Sequence, residues 1–161
     1  MREAFPNVQF VADWRPTGWG TVSVIEGALA ALRLARDTRP APDWYYLLSA
    51  ADIPCRPARS MLRDLAAAQA DVFIGHSPVP DGRPSDNLQE VRQFRYFAFE
   101  PPAFPSGFAC HAGDQWFTAN RRAIDVLLDH AAQAPALLEH YRRLEADRHV
   151  AAEESFYHTL F

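Results

Sequence analysis

Three short stretches of this chain combine side chains that could bind a substrate or accept a proton. Residues 49–52 read Ser-Ala-Ala-Asp, residues 113–117 read Gly-Asp-Gln-Trp-Phe, and Glu153 precedes Glu154 near the C-terminal end. A carboxylate can take a proton from an attacking hydroxyl. An aromatic ring among polar side chains suits a sugar, because sugars present both apolar ring faces and hydroxyl groups. The three stretches therefore indicate a carbohydrate site with a carboxylate base.

Each stretch also has a purely structural interpretation. Asp52 can cap the turn that follows a strand, and Trp116 can belong to the hydrophobic core. Glu153 and Glu154 can simply favour the positive end of a helix macrodipole. The residues alone leave both interpretations open at all three places.

Common catalytic patterns are missing from the sequence. It contains no GxSxG, P-loop, GxGxxG, HExxH or Asp-x-Asp motif, so several familiar hydrolase, nucleotide-binding and metal-dependent classes are not indicated. His76, His111 and His158 are dispersed and lack the spacing of metal ligands. We therefore expect no metal site.

Composition argues against further classes of protein. The 161 residues suffice for one domain, and 48% apolar with 22% charged residues is typical of a globular protein. The net charge of −4 and the scattered arginines argue against nucleic-acid binding. No apolar run approaches the roughly 20 residues of a membrane helix, and no secretory signal opens the sequence, which favours a cytoplasmic location.

The apolar pattern predicts alternating strands and helices around a loop at 76–87. The expected strands are 8–12, 44–48, 71–75 and 94–99, and the expected helices are one that starts at a Ser23/Glu26 capping box, 58–69, 120–130, 135–147 and 153–161. Residues 44–48 are apolar without alternation, as expected of a central strand covered on both faces. These elements predict a three-layer α/β domain. Asp52 would then follow a central strand, where open α/β sheets bind their ligands.

Four motifs follow one another along the chain. They are Trp19-Gly20 with Ser23, WYYLLSAADIP at 44–54, GDQWF at 113–117 with Asn120-Arg121-Arg122, and ESFYHTL at 154–160. In this order they resemble the peptide O-xylosyltransferases, a family that also contains the animal core-2/I-branching N-acetylglucosaminyltransferases. The resemblance covers residues 7–161 and is most specific in the SAADIP and ESFYHTL segments.

The resemblance implies a GT-A-like, Rossmann-like fold and an inverting glycosyltransferase that needs no divalent metal. Such an enzyme would move xylose or N-acetylglucosamine from a UDP-sugar to an acceptor hydroxyl, with Glu154 as the base. The implied substrate-binding residues are Asp52, Asp114, Gln115, Trp116 and Glu153, and the implied donor-binding residues are Trp19 and Gly20. The alternative is a non-catalytic or vestigial carbohydrate-binding protein derived from the same family.

The sequence departs from the family pattern in two ways. Gln115 stands where xylosyltransferases have an acidic residue before the Trp, so we expect a different choice of acceptor. Family members also have an upstream strand and helix that hold uracil and ribose, and a downstream basic segment that binds the diphosphate. A metal-free enzyme depends on such cations to neutralise its leaving group. Residues 1–161 are thus expected to form a partial domain, without the Golgi membrane anchor of animal members.

Overall fold

The computed structural model describes residue 5 and residues 7–79, 105–147 and 151–161. Within these ranges the chain forms five helices and five short strands. The helices are α1 (Val22–Arg36), α2 (Ala58–Ala66), α3 (Arg121–Gln133), α4 (Pro135–Asp147) and α5 (Glu153–Leu160). The strands are β1 (Trp44–Tyr46), β2 (Val72–Ile74), β3 (Ser77–Pro78), β4 (His111–Ala112) and β5 (Phe117–Asn120). The expected mixed α/β class is confirmed, and none of these helices has the length and apolar character needed to cross a bilayer.

The larger sheet has the order β1-β5-β2, and β5 pairs antiparallel with both neighbours. The prediction that 44–48 forms a central strand covered on both faces is therefore wrong for the described sheet. β1 is an edge strand there, with Tyr45 buried and Tyr46 38% exposed. β3 and β4 form a separate antiparallel pair. A GT-A-like arrangement stays a prediction.

Side chains alternate between the two faces of this sheet. Tyr45, Ala119 and Phe117 are buried on the face that packs against the helical core, whose innermost residues include Ile25, Ile124, Leu127 and Phe156. Tyr46, Phe73 and Thr118 line the opposite face, where a cleft of ≈ 960 Å³ separates the sheet from α2. Because α2 buries none of its residues, the core that positions α5 is built by α1, α3, α4 and one face of the sheet.

The start of α1 differs from the predicted capping box. The helix begins at Val22, whose amide donates to Oε2 of Glu145 in α4 at 2.9 Å. Ser23 instead accepts the amide of Gly18 at 3.2 Å. Between them Gly20 is buried with φ 68°, a conformation that favours glycine. A carboxylate distant in sequence thus replaces the expected local cap.

The later helices agree better with the sequence. Oδ1 of Asn120 accepts the amide of Ala123 at 3.0 Å, so the predicted N-cap of α3 is confirmed. The predicted helices at 135–147 and from Glu153 onward are also present, whereas α2 is shorter than expected and α3 longer. Residues 8–12 form no strand. The predicted strand 94–99 and most of the predicted loop 76–87 lie outside the described residues.

Candidate functional site

The loop between β4 and β5 meets the first turns of α5. The amide of Gly113 donates to the carbonyl of Glu154 at 2.8 Å. The side chain of His158 reaches back, and its Nε2 lies 2.9 Å from the carbonyl oxygen of Asp114. Because a carbonyl can only accept, the ring proton lies on Nε2. Two of the three stretches singled out in the sequence are therefore joined by hydrogen bonds.

Gly113 allows this contact because it has no side chain. A Cβ atom there would lie 1.9 Å from the carbonyl oxygen of Gly75 and 2.7 Å from Nε2 of His158. The end of β2 thus meets the loop and α5 at one point. Glycine is required at position 113 by close approach, and not by a left-handed backbone.

The two adjacent glutamates have different surroundings. Glu153 is buried, with 6% of its surface exposed. Burial and the negative charge of Glu153 raise the pKa of Tyr157. Glu154 is half-buried, with Oε2 withdrawn from solvent. Of the two residues, Glu154 has the larger exposed fraction.

The loop before β5 presents polar and aromatic groups at the surface. Asp114 and Trp116 are exposed, Gln115 is half-buried, and the next residue, Phe117, enters the core. With 39% of its surface accessible, Trp116 is not a core residue. Its ring is available for stacking beside the carboxylate and amide of its neighbours.

The other proposed site residues lie in two turns. Oδ2 of Asp52 accepts the amide of Ser49 at 2.6 Å, which is the turn-capping role that the sequence left open. Asp52 is exposed in this turn after β1. Trp19, 70% exposed, and Gly20 precede α1 in another turn. The bonds from Ser49 to Asp52 and from Gly18 to Ser23 join residues that are close in sequence, whereas the Gly113–Glu154 bond joins residues that are far apart.

A buried hydroxyl pair fixes α5 against its surroundings. Oγ of Ser155 donates to the carbonyl of His111 at 2.8 Å and lies 2.6 Å from the hydroxyl of Tyr141, which therefore donates to it. Burial raises the pKa of Tyr141, so this phenol keeps its proton. Reasoning from the sequence missed this pair and the role of His158, because neither has a recognisable spacing signal.

Burial of His158 makes the stability of the fold dependent on pH. Burial lowers the pKa of this imidazole from 6.5 to about 4. Between these values the unfolded chain binds the proton and the folded chain does not. The free energy of unfolding should therefore fall as the pH drops from about 6.5 to about 4, by up to about 3 kcal/mol from this residue.

Urea denaturation at pH 7 and pH 4.5 checks this expectation with His158→Gln, which cannot titrate, as the matched variant. The wild-type chain should lose more stability between the two pH values than the variant. His140, whose pKa burial also lowers, contributes a slope of the same sign to both proteins. Parallel pH profiles would contradict the prediction.

Metal ligands do not cluster in the part of the chain that the structure describes: no three His, Cys, Asp or Glu side chains there could hold an ion together. Glu154 and residues 114–116 bring a carboxylate, polar side chains and an exposed aromatic ring to the junction between the loop and α5. This arrangement can bind a hydroxylated ring and take a proton from one of its hydroxyl groups.

Two comparisons with known proteins show which family the chain resembles. The family model described as Core-2/I-Branching enzyme matches residues 1–161. A xylosyltransferase from Ciona intestinalis is 26% identical over an alignment of 168 positions that covers 98% of this chain and 19% of the relative. The chain thus spans about a fifth of the length of the curated relative it matches. Because this family model matches the whole length of the chain, the chain belongs to the Core-2/I-branching enzyme family.

Proposed function

We propose that this chain carries the catalytic base and residues of both the acceptor and the donor sites of a glycosyltransferase. The reaction moves xylose or N-acetylglucosamine from a UDP-sugar to an acceptor hydroxyl, with inversion and without a divalent metal. The observation that carries the proposal is that α5, which bears the half-buried Glu154, and the loop before β5, which bears the exposed Trp116, are joined by the Gly113–Glu154 hydrogen bond. Family membership and the name of the Ciona relative support it.

Glu154 acts as general base in this proposal. Its carboxylate accepts the proton of the acceptor hydroxyl while that oxygen bonds to the anomeric carbon of the donor sugar. The bond from the anomeric carbon to the diphosphate breaks, and UDP leaves with the bonding electrons. Because attack and departure occur on opposite faces in one displacement, the configuration inverts and a single base suffices.

Residues 114–116 bind the sugar rings. Trp116 stacks on an apolar ring face, and Asp114 and Gln115 bind hydroxyl groups. Glu153, which is buried, belongs to the same proposed set of substrate-binding residues. Because Gln115 is uncharged, it offers a hydroxyl both a donor and an acceptor, whereas an acidic residue offers only acceptors.

The donor side is assigned to the turns after β1 and before α1. Asp52 binds hydroxyl groups of the donor through the carboxylate oxygen that its own turn does not use. The exposed ring of Trp19 and the tight backbone at Gly20 border the donor. Positive charges are required to neutralise the departing diphosphate when no metal does so.

Calorimetric titration with UDP, UDP-xylose and UDP-N-acetylglucosamine tests the proposal, with and without EDTA. We expect UDP to bind with an affinity that the chelator changes less than twofold, and UDP release to rise when a hydroxyl-bearing acceptor is added. The Ciona xylosyltransferase serves as positive control. A folded chain that binds glycans but neither UDP nor a UDP-sugar would overturn the proposal and favour a non-catalytic carbohydrate-binding protein.

A further inference from the structure

Three segments that are distant in sequence converge on the imidazole of His158. Its Nε2 is 2.9 Å from the carbonyl oxygen of Asp114, in the loop before β5. The backbone of Gly113 passes so close that a Cβ would lie 2.7 Å from the same nitrogen and 1.9 Å from the carbonyl oxygen of Gly75. The ring itself is 5% exposed. The imidazole therefore fills the point where the end of β2, the loop and α5 meet.

The position of His158 relative to Glu154 is set by the helix that carries both residues. The two residues are four positions apart in α5, which places them on the same face of the helix one turn apart. The Gly113 amide bonds the carbonyl of Glu154 at 2.8 Å, and the next residue of the loop bonds His158. The loop is thus held at two successive residues by two successive turns of the helix.

We propose that His158 is a positioning residue, which holds the Gly113–Asp114 segment against the first turn of α5 and thereby sets Glu154 relative to the loop that carries Trp116. The inference rests on the proposed function for the role of Glu154, whereas the contact itself does not depend on it. A neutral ring suits this role, because burial keeps the pKa of His158 near 4 and its Nε2 proton stays directed at the carbonyl oxygen of Asp114. The groups that face the ring include His76, whose charge would lower this pKa, and Asp114, whose charge raises it.

Two matched substitutions separate the hydrogen bond from the bulk of the ring. His158→Phe keeps an aromatic ring of similar volume and removes the donor. His158→Gln keeps an N–H group at the reach of Nε2 and removes the ring. The first measurement is amide hydrogen exchange of Gly113 by NMR, because this amide reports the contact with Glu154 without requiring turnover.

We expect Gly113 to exchange at least tenfold faster in His158→Phe and to return within threefold of wild type in His158→Gln. Under saturating UDP-sugar, kcat should follow the same order while the KM for the donor stays within twofold. Unchanged exchange in His158→Phe would overturn the proposal, and so would equal kcat losses in the two variants. A wild-type chain without transfer would count against the proposed function alone, because Gly113 exchange and its rescue by Gln would still decide whether His158 holds the loop.

Discussion

Replacing Glu154 with Gln should abolish sugar transfer and leave the fold intact. An amide matches the carboxylate in size but cannot accept a proton, so we expect kcat to fall by about 10²- to 10⁴-fold. The backbone bond from Gly113 to the carbonyl of Glu154 does not depend on the side chain and should survive. UDP affinity should therefore change less than twofold, and the urea midpoint should shift little.

Glu139→Gln is the matched control for this prediction. Glu139 lies on the surface of α4 and forms ion pairs with Arg142 and Arg143. The same change of carboxylate to amide there should leave kcat within twofold, since surface ion pairs contribute little to stability. If Glu154→Gln kept more than a tenth of the wild-type kcat in a folded chain, the base would have to be another residue.

Local signals predicted the elements whose ends depend on nearby residues. Asn120 caps α3 three residues away, and its type and position alone indicated that end. The helix that begins at Glu153 was expected from its spacing and from the motif at 154–160. The contact of that helix with Gly113 was not predicted, because no local pattern encodes a contact between residues 41 positions apart.

Contacts between distant residues explain what the sequence could not show. The start of α1 is capped by Glu145, 123 residues away, and the Ser23/Glu26 pattern therefore predicted the wrong first residue. The side chain of Glu26 pairs instead with Arg142 of α4. The composition of an apolar run such as 44–48 also does not reveal whether the strand lies at the edge of a sheet or in its centre. Its neighbours decide its position, and they come from elsewhere in the chain.

The sequence also left the role of single site residues open, because that role depends on neighbours that are distant in sequence. The glycine at position 113 can serve backbone freedom or close packing, and the structure shows that it serves close packing. Trp116 could have been a core residue and is exposed. In both cases residue type narrowed the possibilities, and three-dimensional neighbours selected among them.

Gly113→Ala adds one methyl group to this junction, and we expect it to destabilise the fold strongly. The new Cβ would stand 1.9 Å from the carbonyl oxygen of Gly75, a backbone atom, and 2.7 Å from Nε2 of His158. Neither neighbour can yield without breaking the bond from His158 to Asp114 or the pairing around β2 and β5. We expect the free energy of unfolding to fall by about 2–4 kcal/mol, from overpacking and lost hydrogen bonds.

Gly75→Ala provides the comparison, because it adds the same methyl group on the opposite side of the same contact. No atom would lie within 4 Å of a Cβ at position 75, so this variant should stay within about 1 kcal/mol of wild type in urea denaturation. If the two variants were equally stable, the close approach at Gly113 would not constrain the fold. If only Gly113→Ala were destabilised, and transfer fell with it, the packing at this one backbone position would be what brings Glu154 to the loop.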